Sequence, residues 1–130
     1  MRFFLMFATL AGALAGGCAP SIGDSCENSI DCSPQGDRIC DTAQPGGYCI
    51  VPSCEANTCP EDAVCVEFRF EVARLASSWC MAPCENNGDC RDEYECTRAS
   101  VLMEDGAPLA RILDDNGDDG RRFCVARQQM

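Results

Sequence analysis

Three stretches of this chain carry a readable hydrophobic pattern, and the remainder is polar and crowded with turn residues. Phe3 to Ala15 is thirteen residues of almost unbroken apolar character behind the single positive charge of Arg2. A bilayer-spanning helix needs roughly 20 such residues, so the run is too short to span. With Gly16 and Gly17 following, it fits the hydrophobic core of a signal peptide. The second stretch alternates: Val64, Val66, Phe68, Phe70 and Val72 are separated by Cys65, Glu67, Arg69 and Glu71. Period two with β-branched and aromatic residues predicts a strand over 64–72, apolar on one face and charged on the other. Trp79 and Met81 are expected to cover the apolar face, unless it is a solvent-facing stripe for a partner. In the third stretch, 100–103 and 109–113 flank Glu104-Asp105-Gly106. Asp-Gly is a strong hairpin signal, and Pro108 should keep the returning strand at an edge.

The cysteines organise everything between these stretches. Thirteen occur in 130 residues, with no histidine. Cys26-Glu27-Asn28-Ser29-Ile30-Asp31-Cys32 returns as Cys84-Glu85-Asn86-Asn87-Gly88-Asp89-Cys90, and a weaker copy begins Cys54-Glu55-Ala56-Asn57-Thr58-Cys59. Each copy opens a four-cysteine unit: Cys26, Cys32, Cys40 and Cys49; Cys54, Cys59, Cys65 and Cys80; Cys84, Cys90, Cys96 and Cys124. The gaps are 5, 7 and 8 residues, then 4, 5 and 14, then 5, 5 and 27. Only the last gap grows strongly, as insertion into one surface loop of a repeated module would have it. Units this small enclose little core, and each bridge closing a loop of ~15 residues stabilises by roughly 3 kcal/mol. The expected fold is therefore a small disulfide-rich protein: three four-cysteine units (26–49, 54–80, 84–124) of short β-hairpins and loops, with little helix outside the leader. Within a unit we expect crossed pairing, first with third and second with fourth. Spacing leaves the other two connectivities open. Asn28, Asp31, Asn86 and Asp89 are expected to fold back on backbone N–H groups as Asx-turns, in preference to binding a ligand.

Cys18 stands apart from this even set. It ends Leu14-Ala15-Gly16-Gly17-Cys18, which suits the lipoprotein peptidase, and a thioether-linked lipid at Cys18 leaves twelve thiols to pair. The expected organisation is a lipoprotein signal peptide at 1–17, a lipidated N-terminus and short tether at 18–25, and a cysteine-rich domain at 26–130. Alternatively, Ala13-Leu14-Ala15 suits an ordinary signal peptidase, leaving a simple secreted protein with a free thiol. Acyl chains such as palmitate would anchor the chain, and several are needed for stable anchoring. Ala19 follows the cysteine, so by analogy with enteric bacteria the outer membrane is expected. Seven residues separate Cys18 from Cys26 and reach at most ~25 Å, which keeps the first unit near the bilayer.

Without residues 1–17 the chain has nine arginines, no lysine and 21 acids, a net charge of −12. No basic cluster is available for nucleic acid or for electrostatic membrane binding. Enzyme readings find little support. The commonest general base and zinc ligand is absent with histidine. The sequence holds no nucleophile elbow, glycine-rich phosphate loop or C-x-x-C pair, and no cofactor is expected. One turn invites a metal: Asp114, Asn116 and Asp118 occupy positions 1, 3 and 5 of a calcium loop. The match fails at position 6, Asp119 in place of glycine, and at position 12, Val125 in place of glutamate. A solvated acidic turn is the preferred reading, and a weak calcium site the alternative.

The C-x5-C spacing with aspartate before the second cysteine, and Gly46-Gly47-Tyr48-Cys49 closing the first unit, resemble the Dickkopf-type N-terminal cysteine-rich motif. They are similar also to cysteine-rich lipoproteins of delta-type proteobacteria. The resemblance covers 26–124 by spacing only. In animals it implies secreted antagonists that bind receptors, and no activity passes to particular residues here. The expected function is a membrane-anchored, non-enzymatic structural or interaction module of the cell envelope, with the hairpins of the third unit as a contact surface. The alternatives are a weak calcium-dependent binder and a secreted inhibitor or toxin-like ligand.

Overall fold

The computed structural model describes residues 19–115 and 120–127. In the first unit a single helical turn, α1 (Ser29–Cys32), leads to the two-residue strands β1 (Ile39–Cys40) and β2 (Cys49–Ile50), paired antiparallel. The second unit is a hairpin of β3 (Val64–Phe68) and β4 (Ser77–Met81). The third holds β5 (Tyr94–Arg98), a small hairpin of β6 (Met103–Glu104) and β7 (Ala107–Pro108), then β8 (Ala110–Ile112) and β9 (Arg122–Ala126). Strand β9 returns to pair with β5, while β8 leaves its own unit and lies against β3, giving the sheet order β4-β3-β8. The long gap after Cys96 thus supplies the third strand of the second unit's sheet. The fold is small and disulfide-rich, built of short antiparallel strands with very little helix.

Six bridges join Cys26–Cys40, Cys32–Cys49, Cys54–Cys65, Cys59–Cys80, Cys84–Cys96 and Cys90–Cys124. First pairs with third and second with fourth in every unit. The repeated sequence explains the shared geometry. Asp31 Oδ2 accepts from the N–H groups of Glu27 and Asn28, at 2.9 and 3.0 Å, and Asn28 Oδ1 accepts from Ile30 N–H at 3.0 Å. Asp89 and Asn86 repeat the same bonds to Glu85, Asn86 and Gly88 at 2.8–3.1 Å. These are capping boxes, so the turn role holds for all four residues. The backbone donors hold the carboxyls of Asp31 and Asp89 below the usual carboxylate value. In the second unit Thr58 takes the aspartate's place, accepting from Glu55 N–H at 3.0 Å.

The third cysteine of each unit also has a side-chain acceptor for its N–H. Ser29 Oγ serves Cys40 at 3.1 Å and Asn87 Oδ1 serves Cys96 at 2.9 Å, each within its own unit. The second unit is one residue shorter at this place, and Asn57 is held at φ +61°. The acceptor for Cys65 N–H is instead Asp114 Oδ2, at 3.0 Å, brought in by the third unit's long loop.

The three units do not stand apart; they share one interior. Ile22, Tyr48 and Ile50 of the first unit pack with Tyr94 and with cystines of the second and third units, Val64, Val66, Ala110 and Phe123 form a second cluster, and the first unit's own cystines form a third. Tyr48, from the Gly-Gly-Tyr-Cys run, is the principal link. Its hydroxyl donates to Cys124 O at 3.0 Å and accepts from Ala82 N–H at 2.9 Å. Tyr94 sits 5.3 Å from it, ring to ring, and donates to Pro45 O at 2.8 Å. Arg91 lies over both rings, 4.5 Å from Tyr94 and 5.9 Å from Tyr48, and bonds Gly47 O. Burial, the larger cause, raises both phenols above their usual value near 10.

Two strand expectations need correction. The strand from Val64 ends at Phe68, because Arg69 turns the chain at φ +55° and donates its N–H to Leu109 O. Phe70 and Val72 therefore leave the apolar face, and Val72 is exposed. Trp79 and Met81 lie beside that face on β4, opposite Val66 and Val64, while Phe123 packs in the same cluster. Ala99–Val101 is a 3-10 turn, so the 100–103 segment is extended only at its end. The Asp-Gly turn is present, with Asp105 at φ +51° and Gly106 at +80°, both left-handed as a two-residue hairpin loop requires.

Candidate interaction groove

The expected site residues fall into three groups. Cys18, Asn116 and Asp118 lie outside the described residues. The twelve other cysteines are all in bridges; trios such as Cys26, Cys32 and Cys40 bring their sulfurs within 4.8 Å of one another, but a metal takes thiolate, and these sulfurs are oxidised. Asp114 is the surprise. The sequence predicts a solvated acidic turn, but the Asp114 side chain is only 4% exposed. Oδ1 accepts from Asn57 N–H at 2.8 Å, Oδ2 from Cys65 N–H at 3.0 Å, and Arg121 Nη1 lies 3.2 Å from Oδ2. A calcium ion would have to displace these donors. Asp114 is a latch between the second and third units, and its first neighbour Asp115 extends it by pairing with the Asn57 side chain.

A site of a different kind emerges where the units meet. A groove of about 930 Å³ runs along their junction. The first unit contributes one end through Asp41, Gln44 and Tyr48. The second contributes Ser77, Trp79 and Met81 from β4, with Phe68 and Leu75 beyond. The third supplies Tyr94, Glu95 and Thr97 from β5, and Val101, Leu102 and Met103 from the segment ahead of the small hairpin. Trp79 Nε1 donates to Ser77 Oγ at 3.0 Å, which fixes the indole along β4. At one rim Arg69 pairs with Glu104 at 3.1 Å; at another Arg127 Nε donates to Tyr94 O at 3.2 Å. Tyr48 and Tyr94 are buried, their hydroxyls bonded to backbone groups and their rings covered by Arg91, so they form a fixed floor beneath the groove.

The alternation around Val64 located the hydrophobic strand but not this surface. Its residues come from segments 60 positions and more apart, and no periodicity joins Asp41 to Val101. The one sequence signal was the count of aromatic and long apolar residues between Phe68 and Met81, too many for the small sheet to bury. Comparison with protein-family models, with curated proteins and with solved structures finds no match to this chain.

Proposed function

We propose that this chain is a membrane-anchored, non-enzymatic module of the cell envelope, acylated at Cys18 and offering the groove between its three units to a partner. The observation that carries the reading is the cysteine pairing. Six bridges use twelve cysteines, so the thirteenth, directly behind the leader, has no cysteine of its own chain left to pair with. An oxidising compartment disfavours an idle thiol, and lipid attachment gives it a role.

The segment after Cys18 supports the same reading. Residues 20–25 are not a loose tether: Ile22 is buried among the cystines, Gly23 N–H donates to Cys49 O at 2.9 Å, and Cys49 N–H donates to Asp24 O at 3.0 Å. Arg38 bonds Pro20 O and pairs with Glu61 at 2.9 Å. Ala19 alone separates Cys18 from this strap, a reach of ~7 Å, so an anchor at Cys18 keeps the module against the bilayer. Among the described residues no helix is long and apolar enough to cross a membrane, and anchoring rests on the acyl chains. The outer membrane is the proposed destination. The calcium-dependent alternative loses ground because Asp114 is already satisfied.

Cys18→Ser tests the reading. The exchange should release the protein from the membrane fraction and remove the acyl mass from the mature chain. Unchanged membrane association and unchanged mass would sink the anchor and leave the secreted reading in its place.

A further inference from the structure

We propose that the groove binds an extended polypeptide segment in which apolar side chains are interleaved with cationic ones. The proposal rests on the chain being an interaction module and names the chemistry of its partner. Among the described residues five large apolar side chains are exposed, and three of them, Leu75 at 50%, Val101 at 64% and Met103 at 47%, line this one groove. Single exposed apolar residues need no explanation, but three gathered on a concave surface mark a contact site. Methionine adapts its shape to what it meets, and the part-exposed Trp79 provides a rigid aromatic anchor of the kind that carries binding energy.

Polar groups punctuate the same surface. Asp41, Gln44 and Glu95 sit among the apolar ones, where backbone and side-chain donors of a peptide can bond them. An acyl chain would strand them without partners. Charge then chooses the sign. Arg69 is neutralised by Glu104 and Arg127 is turned to the Tyr94 carbonyl. Asp41 and Glu95 enter no ion pair among the described residues. Around them is a chain with 21 acids and ten arginines, a field that draws in cations and repels acidic segments.

Trp79 is the only tryptophan of the chain and reports on the groove directly. The full chain, held in nanodiscs of zwitterionic lipid, is titrated with a twelve-residue peptide of three Lys-Val-Ser-Leu repeats and with its Glu-Val-Ser-Leu counterpart. The lysine peptide should shift Trp79 emission to the blue and bind at least tenfold more tightly than the glutamate peptide. Val101→Ser combined with Met103→Ser should weaken it at least tenfold, and Glu95→Gln should narrow the preference between the peptides. An unreduced mass with all six bridges intact certifies the variants as folded. Equal affinity for the two peptides, no response to the lysine peptide, or indifference to the Val101/Met103 pair overturns the proposal. So does a Trp79 already blue-shifted by the nanodisc and unmoved by peptide, since the bilayer would then be the occupant. Acylation is read separately from the mass of the same sample. A chain found unacylated is titrated in buffer, so loss of the anchor reading leaves the groove test standing.

Discussion

Asp114→Ala removes the acceptor of two backbone N–H groups in a unit that has no replacement. Cys65 is fully buried, and a buried donor left without a partner costs ~1–3 kcal/mol. Asn57 N–H is less deeply placed and adds about 1 kcal/mol on the same scale. Arg121 is a third exposed and keeps its bond to Asp62 O, so its lost partner counts for little against solvent screening. The sum is about 2–4 kcal/mol. Urea unfolding without reductant, so that all bridges persist in both states, should show it as a midpoint lowered by roughly 1 M or more, at an ordinary slope of ~2 kcal/mol per M. Asp114→Asn keeps one carbonyl oxygen and should lose about half as much. Asp115→Ala removes only an exposed bond to Asn57 and should stay within ~1 kcal/mol. If Asp114→Ala and Asp115→Ala lower the midpoint equally and slightly, the latch does not exist and the acidic turn is only a solvated loop.

Tyr48→Phe should cost ~1–3 kcal/mol in the same assay, because Ala82 N–H and Cys124 O lose their shared hydroxyl, and amide exchange should quicken first at Ala82. Gly47→Ala should sharply reduce the yield of correctly bridged protein, since its Cβ would lie 2.0 Å from Cys26 O at φ +71°. Gly36→Ala, with φ +83° but nothing within 4 Å, should cost only about 1 kcal/mol. In acid, Asp31 and Asp89 have folded-state values below their unfolded ones. Their contribution is therefore complete above the usual carboxylate value of 3.8 and disappears as pH falls through the depressed folded values. Unfolding free energy should drop more steeply below that pH in the natural chain than in the Asp31→Asn, Asp89→Asn double variant, and identical slopes would contradict the capping boxes.

Much of the frame was legible because it is local. The C-x5-C repeats with their Asn and Asp residues specify the turn that opens the first and third units, since each side-chain acceptor lies within four residues of its donor. Asp105-Gly106 specifies its hairpin for the same reason, through left-handed backbone at two adjacent positions. The even set of twelve cysteines from Cys26 to Cys124 sets the disulfide-rich class, because units this small cannot otherwise offset their conformational entropy. Other features depended on contacts between residues far apart in sequence. The missing residue between Cys54 and Cys59 creates a vacancy that Asp114 fills from 49 positions beyond Cys65, and nothing near either site announces the other. The alternation through Val72 pointed to a longer strand than exists, because the pairing of β3 with β8 ends where Arg69 must turn toward Leu109. Tyr48 reads as the close of one unit, yet its ring and hydroxyl hold that unit to the third. Local hydrogen bonding fixed the units; the burial of aromatic surface between them, which is blind to sequence distance, decided how they assemble and where they leave a groove.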